Sequence, residues 1–372
     1  MSRFTDFRVL APVSTSPSIL PAIDWSSIGH TAPAPVAVDY KGPEAPLPEA
    51  EIVIFTWTDA EWSALDHVFL HGHAQATQQS STLSHRWLQF SHSAPSSGNE
   101  GGKLWGYYQL VDVQGKGAAP HRVLLLKSDT HLAHPPWIAG LSSLVDLVAA
   151  AHPQRIYSVG TAGGADQTQR LGDVVITNSA EIQLKIKDNA DCGYNGGTFA
   201  CKNWFPDLSI VPEVQSTLLF PLSRVATTSA LEHVLQGAKR GRHKDTEQLS
   251  PFTLTDLVNS SLDPRNLGSP QVLNLKDKPL LTTDYYYIAI GNTNYAALEM
   301  DDAVIAHVAQ QKKVDFVFIR NISDPLVPAK TPDQKPIPEP AREAWSSAIY
   351  DAYGLYTSFN GALAAWATIA AS

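Results

Sequence analysis

At 372 residues, 44% of them hydrophobic and 17% charged, the chain carries too much apolar sequence to be wholly disordered. It is long enough for two domains of about 150 residues or for one enlarged α/β domain. Its 36 acidic and 27 basic residues leave a net charge of -9, which repels phosphodiester backbones. The short basic run Lys239 to Lys244 reads as a solvated loop, so no nucleic-acid partner is expected. Two cysteines, Cys192 and Cys201, rule out a disulfide scaffold; they could form one local bridge, but two free thiols in a reducing compartment is the preferred reading. Neither has the companion ligands a zinc site needs, so no metal is expected. There is no signal-peptide core and no run near the roughly 18 apolar residues that span a bilayer, so the expectation is a cytoplasmic protein without a membrane partner.

Residues 1–50 contain Pro12, Pro17, Pro21, Pro33, Pro35, Pro43, Pro46 and Pro48, which break any period and predict an extended arm. Ile19, Leu20, Ile23 and Trp25 would pack that arm on the body. A buried strand is predicted over Glu51–Thr56, then a helix from Ala60 to Leu70 with Asp59 as its N-cap. Leu104–Val113 and Arg122–Ser128 read as strands, and Pro136–Ala151 as a helix with Ile138, Leu141, Leu144, Val145 and Val148 at helical spacing. Strands follow at Arg155–Gly160 and Gly172–Ile176. From about 188 to 278 the pattern degrades into Gly, Pro and Asn, which reads as an insertion holding one helix near Thr227–Lys239. Regularity returns with Pro279–Ile290, a helix over Ala297–Gln311 with Met300, Val304 and Val308 on one face, and a strand over Val314–Ile319. A Pro-rich loop, Pro325–Pro340, precedes terminal helices over Arg342–Ala370. Alternating strands and helices predict an α/β fold with helices packed on a central sheet.

Four pieces carry the chemistry: Thr58-Asp59-Ala60-Glu61 after the first strand, Gly160-Thr161-Ala162-Gly163-Gly164 ahead of Gly172-Asp173-Val174-Val175, Leu298-Glu299-Met300-Asp301, and Arg320-Asn321-Ile322-Ser323-Asp324. In this order and context they resemble the nucleoside phosphorylase and nucleosidase superfamily, and within it the methylthioadenosine/S-adenosylhomocysteine nucleosidase branch. The resemblance runs from about Ile52 to Ala370 and leaves the arm and the insertion uncovered. It implies one three-layer phosphorylase-like domain over 51–372, with a central mixed twisted sheet flanked by helices. It also implies a homodimer, a small-molecule nucleoside or nucleotide substrate, and no cofactor.

Cleaving a purine N-glycosidic bond passes through an oxocarbenium-like sugar, and protonating the base helps it leave. The resemblance makes Asp324 the general acid beside Ser323, although an Asp at a strand end also forms turns. Glu61 takes the place of the water activator, although the helix macrodipole alone favours a first-turn Glu. Asp301 stands where the family has a ribose-binding Glu, one methylene longer. Met300 matches a sugar-packing Met or is ordinary core, and Glu299 is expected to support the site from behind. Thr282 to Tyr287 resembles the base-binding segment, with Tyr286 as the stacking ring or a core aromatic. Gly163 and Gly164 would let backbone approach the ligand. The family's glycine turn after the third strand is replaced by Lys127-Ser128-Asp129-Thr130-His131, which keeps Ser128 as a contact and reshapes the 5′ pocket with His131, His134 and Trp137. Phosphorylases of the family carry arginines in the first loop and before the Gly motif. Here Thr56–Ala64 has none and Ser158 fills the second place, so hydrolysis is expected over phosphorolysis. A nucleoside-binding sensor is the third reading, disfavoured because a binder needs neither Asp324 nor Glu61.

Overall fold

The computed structural model describes residues 20–70, 87–94, 104–132, 137–221, 269–285, 294–326, 329–330, 334, 336 and 339–372. Their centre is four apolar strands: β2 (Ile52–Thr56), β5 (His121–Ser128), β6 (Arg155–Gly163) and β13 (Asp315–Asp324). β2 pairs in parallel with β5 and β6, and β13 runs parallel to β6 along its length. On one side β4 (Gly106–Val113) is antiparallel to β5, and its far edge is covered by β1 (Ala34–Val36) and β3 (Leu88–Phe90). On the other, β7 (Val174–Thr177) pairs with β13, while β8 (Ser179–Gln183), β11 (Leu280–Thr283) and β12 (Leu298–Glu299) return to the tip of β6. The sheet is therefore mixed.

Alternate residues of each central strand enter opposite cores, as the two-residue repeat of a strand requires. Ile52, Ile54, Tyr157, Val317 and Ile319 face α1 (Asp59–Leu70) and the long α6 (Glu339–Ala370). Val53, Phe55, Ile156, Phe316 and Phe318 face α2 (Trp137–Ala150) and α5 (Asp302–Lys312). Two helical layers thus enclose one sheet; the short α3 (Lys187–Ala190) and α4 (Val211–Thr217) fall between α2 and α5 in the chain.

Several expectations shift. The first helix starts one residue early: Asp59 is its first helical residue and Thr58 precedes it, with Thr58 C=O accepting from Trp62 N–H. The helix predicted from Ala297 begins at Asp302, because Leu298 and Glu299 pair with β11 and β6; Met300 consequently lies outside it. The last strand reaches Asp324 rather than Ile319. Within 188–278, β9 (Thr198–Ala200) joins β8 and β10 (Val272–Asn274) joins β7, so parts of the degraded region enter the sheet. The helix expected near Thr227–Lys239 lies outside the described residues, as does half of the Pro-rich loop. The arm packs where its apolar residues suggest: Leu20, Ile23 and Trp25 join the α1/α6 core, and Trp25 meets Trp366 edge-on at 4.5 Å. Both cysteines are free thiols. Among the described residues no helix is long and apolar enough to cross a membrane.

Candidate active site

β6 forks. Its first half pairs with β2, its last residue pairs with Leu298 of β12, and on that edge residues 159–162 have neither partner. Such divergence of neighbouring strands opens the crevices in which α/β proteins bind ligands. Glu61 fills the fork from α1. Its Oε1 accepts from Thr161 N–H and Thr161 Oγ1–H, both at 2.7 Å, standing in for the missing strand. Its Oε2 accepts from Trp57 N–H and Thr58 N–H at 2.9 Å and from Thr56 Oγ1–H at 3.1 Å. Glu61 N–H donates back to Thr58 Oγ1 at 3.3 Å, so Thr58 and Glu61 form a reciprocal capping box. A carboxylate offers about four lone-pair positions, so these donors occupy Glu61 fully in this arrangement.

Beside it lies a buried ionic cluster. Arg320 Nε donates to Asp302 Oδ2 at 2.8 Å, and its Nη2 donates to Asp302 Oδ1 and, at 2.9 Å, to Ser158 Oγ. Ser158 Oγ–H donates to Asp302 Oδ1 at 2.5 Å, and Glu299 Oε2 lies 3.4 Å from Arg320 Nη2. The guanidinium stacks over the Trp57 ring at 4.9 Å. Burial opposes the charge on Arg320, and Asp302, Glu299 and Glu61 together more than offset it, raising its pKa. Gly160 is required here: a Cβ would sit 2.5 Å from Arg320 Nη1 and 2.9 Å from Glu61 Oε1.

Glu299 caps α5. Its Oε2 accepts from Asp301 N–H at 2.6 Å and Asp302 N–H at 2.8 Å, while Thr282 Oγ1 donates to its Oε1 and accepts from Ala303 N–H at 2.9 Å. Burial and the neighbouring Asp302 push Glu299 up to about 8. Because Glu299 does the capping, Asp301, at the N-cap position, makes no side-chain cap bond. Its carboxyl turns instead to the loop after β5, where Leu132 N–H donates to Oδ1 at 3.1 Å and His131 Nε2 lies 3.2 Å from Oδ2. Burial also pushes Asp301 up to about 8.

A register shift in the β6–β13 pairing between Ile322 and Asp324 sets Asp324 opposite Gly163. Bulges of this kind re-aim side chains beside functional sites. Ser323 Oγ–H donates to Asp324 Oδ1 at 2.7 Å. A Cβ on Gly163 would stand 3.1 Å from Asp324 Oδ2, and one on Gly164 would stand 3.0 Å from Leu326 N. The two glycines thus let the ends of β6 and β13 close on each other.

The expected residues therefore gather around one strand end: Glu61 at 160–161, Asp324 and Ser323 at 163, and Asp301 and Glu299 across β12. Buried Glu61, Glu299, Asp301 and Arg320 are rimmed by the half-buried Thr161, Gly163, Met300, His131 and Asp324. Ser128 closes its own turn, donating to Thr130 C=O at 2.8 Å and accepting from Thr130 N–H at 3.0 Å, and so shapes the loop that delivers His131. Tyr286 and His134 lie outside the described residues. Sequence reasoning gave no site role to Asp302, Arg320, Thr161 or Trp57. An acid following Asp301, on the same turn, was the available signal for Asp302. Among the described residues no three His, Cys, Asp or Glu are grouped to hold a metal ion.

Comparison with known proteins follows the same lines. A 5′-methylthioadenosine/S-adenosylhomocysteine nucleosidase of Psychromonas ingrahamii is 25% identical over 178 residues, covering 48% of this chain. The match spans 59% of that relative's length. A solved nucleosidase of the same description from Neisseria meningitidis, in complex with methylthio-immucillin-A, aligns at 13% identity and a TM-score of 0.42, covering 86% of this chain and 99% of that one. Futalosine hydrolase of Helicobacter pylori aligns at 11% identity and a TM-score of 0.42, covering 86% and 96%. Residues 135–345, more than half of the chain, match the family model described as the phosphorylase superfamily, and the chain belongs to that family.

Proposed function

We propose that this chain hydrolyses the N-glycosidic bond of a purine nucleoside, with adenine as the base and a substituent on the 5′ carbon. One observation carries hydrolysis over phosphorolysis. Glu61, Glu299, Asp301 and Asp302 surround Arg320, whose guanidinium is already held by Asp302 and Ser158. Phosphate would enter a site whose Arg320 guanidinium is already paired with Asp302, whereas water needs no cation.

Asp324 protonates the leaving base. Ser323 Oγ–H steadies its Oδ1, and its Oδ2 lies beside Gly163. Water attacks from the Glu61 side. Glu61 is occupied by its own donors, so the water docks on Thr161 Oγ1 and gives its proton to that oxygen as the Thr161 hydroxyl passes its own to Glu61 Oε1. Glu61 meets β6 at residues 160–161 and Asp324 meets it at 163, about 7–10 Å apart at about 3.3 Å per residue. Asp301 takes the ribose hydroxyls and Met300 packs the sugar. Tyr286 stacks the base. The working assembly in this reading is a cytoplasmic homodimer.

Base release from a panel of purine nucleosides, measured with and without phosphate, tests the proposal. Release independent of phosphate and lowered about 10²–10⁴-fold by Asp324→Asn is expected. Release that requires phosphate would establish a phosphorylase, and binding without release from any nucleoside would establish a sensor.

A further inference from the structure

The sequence placed His131 only in a reshaped 5′ pocket, yet the loop after β5 brings it to Asp301. The Ser128–Thr130 turn directs the chain inward, and Asn189 Nδ2 donates to Leu132 C=O at 3.1 Å while its Oδ1 accepts from Ile138 N–H at 2.9 Å. Consecutive residues of this loop then meet the two oxygens of one carboxyl group, Leu132 N–H at Oδ1 and His131 Nε2 at Oδ2. One lone pair on each oxygen remains, which matches the two donors of a vicinal diol.

We propose that His131 is the proton-holding partner of Asp301: when the ribose hydroxyls engage Asp301, the proton shared by the pair moves from Asp301 Oδ2 to His131 Nε2, so the carboxylate meets the sugar ionised at neutral pH. The inference rests on the reading of Asp301 as the ribose contact. Among the described residues, the titratable groups facing the pair are Glu61 from α1, Glu299 from β12, Asp302 from α5 and Arg320 from β13. Burial holds His131 down at about 4, with Glu61 pulling it up and Arg320 pushing it down. Burial holds Asp301 up at about 8, opposed by Leu132 N–H and Arg320 and reinforced by Asp302 and Glu61. Between those limits the pair keeps one proton. Two hydroxyls donating to Asp301 favour its charged form, and that new charge, 3.2 Å from His131 Nε2, raises the imidazole so that it holds the displaced proton within the site. His131 is thus a positioning residue that keeps the shortened acid competent.

The test compares the wild type with His131→Gln, which keeps a donor for Asp301 but takes up no proton. For adenosine, the wild-type KM is expected to stay level from pH 6.5 to 9. In the variant Asp301 must ionise unaided, so KM is expected about thirty-fold higher at pH 6.5 than at pH 9, with kcat little changed. The pH dependence should vanish with 2′,3′-dideoxyadenosine. A KM penalty equal at all pH values would mean a merely structural histidine and would overturn the proposal. Histidine ¹⁵N NMR of Asp324→Asn gives a reading free of turnover: His131 should gain a proton when adenosine binds, and a ring that stays neutral in the complex also overturns it. Protonation on binding without base release by the wild type would remove the hydrolase reading and leave the pair standing.

Discussion

Asp301 and Glu299 are carboxyl groups kept protonated by burial where exposed acids would be charged. Their folded pKa values, each about 8, lie above the ordinary 3.8 and 4.5, so the folded state binds more protons than the unfolded one between about pH 4 and 8. The stability they lend is full at low pH and is lost as pH rises through that window. His131 works at the other end: held down at about 4, it costs stability as pH falls from 6.5. Asp301→Asn keeps an acceptor for Leu132 and removes the buried ionisation. Thermal melts should show it gaining roughly 2–4 °C over the wild type at pH 8.5, with the gap closing by pH 5, while base release falls. Asp302→Asn should do the reverse, leaving Arg320 buried without its anion and costing about 3–5 kcal/mol in denaturant titrations. The motifs brought Asp301 and Glu299 to the site, but the contacts among Ser158, Asp302 and Arg320 were not legible from local pattern. Ser158 and Asp302 are 144 residues apart and Ser158 and Arg320 are 162, and no spacing rule joins them.

The elements show why boundaries misled where identities did not. β2, β5, β6 and β13 are continuous apolar runs at the centre of a two-sided core, and such runs announce themselves. The start of α5 did not. Ala297, Met300 and Val304 have helical spacing, but the cap comes from Glu299 and Thr282, on neighbouring strands, so the helix waits until Asp302. Asp59 misled for the opposite reason: Thr58-Asp59-Ala60-Glu61 holds both an acidic cap candidate and a capping box, and the box prevails because it satisfies two donors at once. Thr58→Ala should therefore cost about 1 kcal/mol in stability. Gly160→Ala should be worse, about 1–3 kcal/mol by overpacking, and should abolish base release, because its Cβ would part Arg320 from Glu61. A variant that melts lower but turns over normally would show that the fork does not need this close approach.

For the whole molecule, strand alternation and four motifs made the α/β architecture readable, whereas the arm's role depended on a partner at the far end of the chain. β1 covers residues Leu110–Asp112 of β4, and the Pro43 carbonyl and Glu44 side chain hold Ser91 just beyond β3. Removing residues 1–50 would bare a sheet edge and the Trp366 ring, so the truncated protein should aggregate or melt well below the full chain in a thermal scan. Among the described residues Tyr40 is the exposed large hydrophobic, at 37%. The proposed homodimer must therefore bury polar surface or draw on residues outside the described set. Light scattering at the mass of two chains is the expected result, and a single-chain mass at working concentration would exclude the dimer.

The seat of Trp25 and His30 on Trp366 also bears on how the molecule comes together. Closing that contact joins residues more than 300 positions apart, and α6 must be formed before the arm has anything to bind. Loops of that length close late and at an entropic disadvantage, so the arm should dock last in refolding. The fluorescence of Trp25 and Trp366 would then report a final step that follows formation of the sheet.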